Sequence, residues 1–224
     1  MVRVFKFLYG LCLCLLTVSC SKSDNNQVIV HGNIDHLGKS ELYISYYKAK
    51  DLLAFDTIRS SESGKFDFKL ESFDEISPIT IYFHDNNCWT TLFAKAGDDI
   101  TISGDIEMVD LLNISGGPVN DDLNRFKKQI RSLYVERQQI LEGKYSNSSG
   151  VETETRLAEI NLALKRKAKE FIISNPSSVA SVVLIQDFFY QDYDPSTTEL
   201  LDILEGDAST FHMTAKIREE IKKW

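Results

Sequence analysis

Cysteine is scarce in this chain of 224 residues: it has four, and Cys12, Cys14 and Cys20 all fall in the opening stretch, leaving Cys88 alone downstream. If that opening is removed, no internal disulfide can form, even in a compartment that permits one. No Cys-x-x-Cys pair follows residue 20, so the commonest thiol-redox motif is missing. The histidines His31, His36, His84 and His212 show no metal-ligand spacing, and a His pair one helical turn apart with a carboxylate is what a zinc site would need. No serine sits in a Gly-x-Ser-x-Gly elbow. Asp98, Asp99 and Asp105 lack the alternating oxygen ligands and closing Glu of a calcium loop, and read as turn residues. No catalytic residue, metal site or cofactor is therefore expected. Positive charge is also short, with 25 Lys and Arg against 33 Asp and Glu. A net charge of -8 argues against nucleic acid as a partner and gives no attraction to anionic headgroups.

What is present starts with the opening itself. Arg3 and Lys6 precede an apolar run from Phe7 to Val18, which spans about 18 Å as a helix at about 1.5 Å per residue. A bilayer core of about 30 Å needs more, so the run fits the hydrophobic region of a signal sequence. Ser19 before Cys20 resembles the lipobox of bacterial lipoproteins, although Thr17 stands where Leu is usual. The expectation is a lipoprotein signal over residues 1–19, a lipidated Cys20 and a polar tether over 20–26. Acyl chains gain about 0.8 kcal/mol per buried CH₂, so several on one residue anchor stably. Ser21 after the cysteine favours the outer membrane, with the domain facing either the periplasm or the cell exterior. The membrane is thus an expected partner through lipid on Cys20.

Two compositional halves follow. Residues 27–117 hold short strand-like runs broken by Gly, Asn and Asp, such as Lys65-Phe66-Asp67-Phe68-Lys69-Leu70 with strict alternation. They predict an antiparallel β-sandwich or barrel-like domain. Residues 118–224 carry apolar residues at helical spacing, beginning with Leu123, Phe126, Ile130 and Leu133. Asn120 is expected to cap the first helix and Pro176 to open the third. Val179 to Ile185 is almost wholly apolar and expected to be central. Pro195 is expected to open a fourth helix ending at Gly206, and Ser209 or Thr210 a last one reaching Trp224. The fold class is β + α, with an all-α extension after the β domain.

Several segments together resemble one family. Val28-Ile29-Val30-His31-Gly32, Asp56-Thr57-Ile58 before Gly64-Lys65-Phe66-Asp67-Phe68, and Ala96-Gly97-Asp98-Asp99-Ile100-Thr101-Ile102-Ser103-Gly104 occur in order. Ile114-Ser115-Gly116-Gly117-Pro118-Val119-Asn120 then leads into helix. The set resembles the domain of unknown function 4369, found in envelope lipoproteins of Bacteroides-like bacteria. In many relatives a thioredoxin-like domain with a Trp-Cys-x-x-Cys motif comes next; the chain stops at Trp224, about where it would begin. The resemblance implies either a non-catalytic envelope lipoprotein that binds an envelope protein or small ligand, or an accessory or truncated part of a thiol–disulfide system.

Three features bear on a site. Cys88 is a candidate thiol, although a reactive thiolate wants a cation nearby, and a small semi-buried apolar role fits it better. Tyr43, Tyr46, Tyr47, Phe55 and Trp89 could form an aromatic platform for a sugar or peptide, or serve strand packing. Asp56-Thr57-Ile58 resembles the short O-glycosylation sequon of such bacteria, with Thr57 as acceptor.

Overall fold

A computed structural model describes residues 27–49, 52–71, 73, 75–144 and 150–223. The expected signal, Cys20 and the tether lie outside these residues. Eight strands run through the first half: β1 Val28–Asp35, β2 Glu41–Ala49, β3 Leu52–Arg59, β4 Lys65–Leu70, β5 Ser77–Phe83, β6 Cys88–Ala94, β7 Asp99–Asp105 and β8 Asn113–Ser115. They form two sheets of four, ordered β4-β1-β7-β8 and β3-β2-β5-β6. Strand alternation dictates which side chains meet between them: Val28, Val30, Phe66, Phe68, Ile100 and Ile102 from one sheet face Leu42, Ile44, Ile79, Ile81 and Leu92 from the other. The β half is therefore a sandwich rather than a barrel.

One pairing departs from the antiparallel expectation. β1 runs antiparallel to β4 but parallel to β7, with Ile29 opposite Asp99 and Gly32 opposite Ile102. The cause is the connection after β6. The Lys95–Asp98 turn carries the chain across to the other sheet, where Asp98 O accepts from Ile29 N at 3.0 Å. The chain thus enters β7 at the end where β1 also begins. Gly32 is needed within β1, opposite Phe66 of β4, because a Cβ there would lie 2.1 Å from the Phe66 ring. Gly116 is needed for backbone reasons: φ is +100°, and a Cβ would lie 2.1 Å from Asp99 O.

The last strand, β8, is short, since residues Ile106–Leu111 before it form a 3-10 segment capped by Asp105. Helices then follow: α1 Pro118–Leu141, α2 Gly150–Ser174, α3 Val179–Ile185, α4 Ser196–Asp202, α5 Gly206–Thr210 and α6 His212–Ile221. Gly117, not Asn120, holds the cap position of α1, with Pro118 at the first turn. The Asn120 amide has other partners. Its Oδ1 accepts from Phe93 N at 2.9 Å, and its Nδ2 donates to Phe93 O and Gly116 O, both at 2.7 Å. One turn further, Asn124 does the same for Ile114, accepting at 3.1 Å and donating at 2.6 Å. β6 and β8 are the last strands of their sheets on this side. Two asparagines of one helix therefore satisfy the open backbone of both, which a buried edge requires.

Pro176 likewise precedes the third helix instead of opening it. Ser178 caps α3 through Ala180 N, and Asn175-Pro176 form the turn before. α3 is buried throughout, as its composition predicts, and passes directly into a π-helical turn, Gln186–Tyr190. The last two expected helices are three shorter ones, because Phe211 is extended between α5 and α6. The helices share a second core with Phe126 at its centre, its ring 5.7 Å from Phe171 and 5.8 Å from Phe188. Among the described residues, Phe93 is the one buried β-sheet side chain in that core.

Candidate binding surface

The two sheets have unlike outer faces. Outside β4-β1-β7 the side chains are charged: His31 is paired through Nδ1 with Asp67, and its Nε2 lies 3.5 Å from Asp99. Outside β3-β2-β5-β6 they are aromatic and hydroxylated. Register across the four strands sets Thr57, Tyr43, Tyr82 and Trp89 in one row, and Phe55, Ser45, Thr80 and Thr91 in the next. A third row holds Leu53 beside Tyr47 on β3 and β2. Phe93, at the β6 end of this face, is covered by helices, while the aromatic rows stay open: Phe55 is 73% exposed and Trp89 64%.

The rings are held in place. Tyr43 and Tyr82 lie nearly parallel, 6.2 Å apart at 10°, and His84 packs edge-on against Tyr43 at 5.3 Å. Tyr82 donates to Asn87 Oδ1 at 2.7 Å, and Tyr43 donates to Glu41 Oε2 at 3.1 Å. Arg59 closes the rim on Glu41, with Nε 3.1 Å from Oε1. The hydrogen bonds from Arg59 and Tyr43 hold the Glu41 carboxyl below its usual range, and the same bond raises the Tyr43 hydroxyl. Thr80 and Thr91 share a hydrogen bond of 3.1 Å in the neighbouring row. Fixed aromatic faces beside hydroxyl groups suit a ligand with one apolar and one polar aspect.

Of the five aromatics singled out in the sequence, Tyr43, Tyr47, Phe55 and Trp89 share this face. Tyr46 does not: it points inward, with its ring 5.8 Å from Phe73. Tyr82 was missed, although the alternation of Ile79-Thr80-Ile81-Tyr82-Phe83 places it outward. Thr57 is exposed in the same row, and its N–H donates to Asp56 Oδ1 at 2.7 Å. A glycan on Thr57 would stand beside Tyr43.

Cys88 lies elsewhere. It opens β6 on the inward side and borders a cleft of about 300 Å³ between the 3-10 segment and α1. Met108, Asp110, Tyr134, Arg137 and Gln138 are among its walls. Burial, with Asp110 adding to it, pushes the Cys88 thiol up, whereas a nucleophilic thiol needs the opposite. His84 is on the aromatic face. Burial likewise takes the Tyr134 hydroxyl up to about 12 and lowers Lys127, which donates to Leu112 O at 3.1 Å.

The remaining sequence candidates are structural. Asp98 Oδ2 accepts from Lys95 N at 2.9 Å and closes the turn, and Asp105 pairs with His36 at 3.0 Å. His36 and Asp105 shift each other in the expected senses, up and down, chiefly through that hydrogen bond. His31 and His36 each pair with carboxylates, and no group of three or more metal-ligating side chains occurs among the described residues.

The fold and this surface define a class: a mixed two-sheet β-sandwich with one aromatic outer face and a helical region docked on its edges. Residues 28–123 match the family model described as Domain of unknown function (DUF4369). The match ends inside α1, just past Asn120. No curated protein and no solved structure matches the chain.

Proposed function

We propose that the protein is a non-catalytic lipoprotein of the outer membrane, tethered through Cys20, that binds a carbohydrate of the cell envelope on the outer face of β3-β2-β5-β6. The observation that carries this reading is the outward row of half-buried Tyr43 and Tyr82 with exposed Trp89, beside Phe55 and a hydroxyl-bearing row. Sugar rings offer C–H faces that stack on aromatic rings and hydroxyls that bond to the rim. The acidic chain favours neutral ligands over anionic ones. Calorimetric titration of neutral envelope oligosaccharides should give binding that weakens about tenfold in Trp89→Ala or Tyr43→Ala, a loss of about 1.4 kcal/mol. Equal binding by the double variant would remove the surface from the reading. Radiolabelled palmitate should enter the wild type and not Cys20→Ala; label retained in that variant would end the lipoprotein reading.

The thiol–disulfide alternative has less support. It would need Cys88 to act as a resolving thiol, and burial and Asp110 push that thiol up, away from the reactive thiolate. Insulin reduction above that of a Cys88→Ser control would restore it.

A further inference from the structure

The binding rows account for most of the exposed aromatic face but leave its other end unexplained. Past the last β2–β5 pair, Tyr46 with Ile79, the β2–β3 hairpin continues alone. There Tyr47 is 45% exposed, Leu52 59% and Leu53 44%. Leu52 and Leu53 point to opposite faces of β3, so the strand start is apolar on both sides. Nothing among the described residues covers it, and Tyr47 beside Leu53 on one face with Leu52 on the other is more than an isolated surface leucine.

The position of this end in the fold is specific. Val28 opens β1 and pairs with Leu70, the last residue of β4. Phe73 follows shortly after, accepts from Ala96 N at 3.3 Å, and packs its ring against Tyr46. The end of β6 turns through Asp98 onto Ile29, and Ala94 there pairs with Ser77 at the start of β5. The start of β3 and the first residue of β1 therefore share one end of the sandwich. Trp89, Tyr82 and Tyr43 lie toward the other end of the same sheet, where β6 begins, β5 finishes and β2 begins. Between Cys20 and Val28 the chain has eight peptide steps, which at about 3.5 Å each reach at most about 28 Å. That is about the length of one strand of the sandwich, so the tether lets the hairpin end reach whatever holds Cys20.

We propose that the apolar β2–β3 hairpin end, with Tyr47, Leu52 and Leu53, rests in the interface of the lipid bilayer that anchors Cys20, and directs the Tyr43–Tyr82–Trp89 row away from the membrane. The proposal builds on the lipid anchor put forward above. Leucine and tyrosine suit the interfacial zone, where an apolar body meets a polar tip. The contact rests on apolar side chains, so neutral phosphatidylcholine is the lipid for its test.

The test uses the full lipidated protein in phosphatidylcholine vesicles, with Cys88→Ser as background and a nitroxide attached at Leu53→Cys or Leu52→Cys. Glu62→Cys, in the exposed turn at the opposite end of the sandwich, carries the control label. Vesicle flotation is measured on the same samples. The expected result is flotation, with a ratio of oxygen to nickel-chelate collisions several-fold higher at positions 52 and 53 than at 62. Flotation with water-like ratios at all three positions would overturn the seating and leave the anchor standing. Failure to float would overturn both. Labels at 53 that stay in water and broaden one another would assign the hairpin to a second copy of the chain, against the proposal.

Discussion

Asn120 is the residue on which the join between the two halves most depends. It was expected at a helix cap, where its loss would cost about 1 kcal/mol. Its two bonds to Phe93 are buried and its bond to Gly116 partly so, and removing it strands a donor and an acceptor of β6. Asn120→Ala should cost about 2–4 kcal/mol in chemical denaturation, clearly more than a cap would. Asp194 makes the second residue-scale case. Burial works against its charge, but Lys165 at 2.6 Å and the N–H and hydroxyl of Ser196 outweigh that and bring its carboxyl to about 2. A depressed acid stabilises the fold above its unfolded value and loses that contribution as pH falls through the folded one. Stability should drop by about 2 kcal/mol between pH 4 and 2. Asp194→Asn should remove that part of the acid sensitivity, read from denaturation midpoints across this range. Asp187 runs the other way: burial raises its carboxyl to about 6 against the pull of Lys127. It is open to water on one side, which limits its weight.

Among the elements, the join is made by β6 and α1. Phe93 lies on a sheet whose other aromatics face solvent, yet it is 4% exposed because the helices cover it. Phe93→Ala should cost about 3–5 kcal/mol. It should also split one thermal transition into two by calorimetry, since it removes the only buried sheet side chain that the described residues place in the helical core. A single unsplit transition would show that the asparagine pair suffices. Strand alternation made most of the sandwich legible: Phe66, Phe68 and Leu70 point inward as written. The parallel β1–β7 pair was not legible, because it depends on which sheet the chain enters after the Lys95–Asp98 turn, and local pattern does not encode that. The aromatic face was half legible. Period two places Tyr82 outward and Tyr46 inward once each strand is set, but only register shows that Tyr43, Tyr82 and Trp89 form one row. Caps were misread where turn residues serve tertiary contacts, as at Asn120 and Pro176.

For the whole molecule, the division of labour runs along the sandwich, with helices at one pair of edges, an open aromatic face beside them and the β1 entry at one end. Among the described residues, both cores are built from Val28 onward. Cys20→Ala should therefore move the protein from membrane to soluble fractions while leaving its unfolding midpoint unchanged. A large drop in that midpoint would mean that the tether contributes to the fold.

The parallel pair also constrains the order of folding. β1 is an inner strand of its sheet, but its neighbour β7 begins only at Asp99, so its place is filled late in the chain. Closing so long a loop before its contacts form makes for slow folding, in milliseconds to seconds rather than microseconds. A chain fed out amino end first would hold its opening strand unpaired on one side throughout that time. The interval exposes a bare edge to neighbouring chains, so a fragment ending before Asp99 should aggregate where the full chain does not.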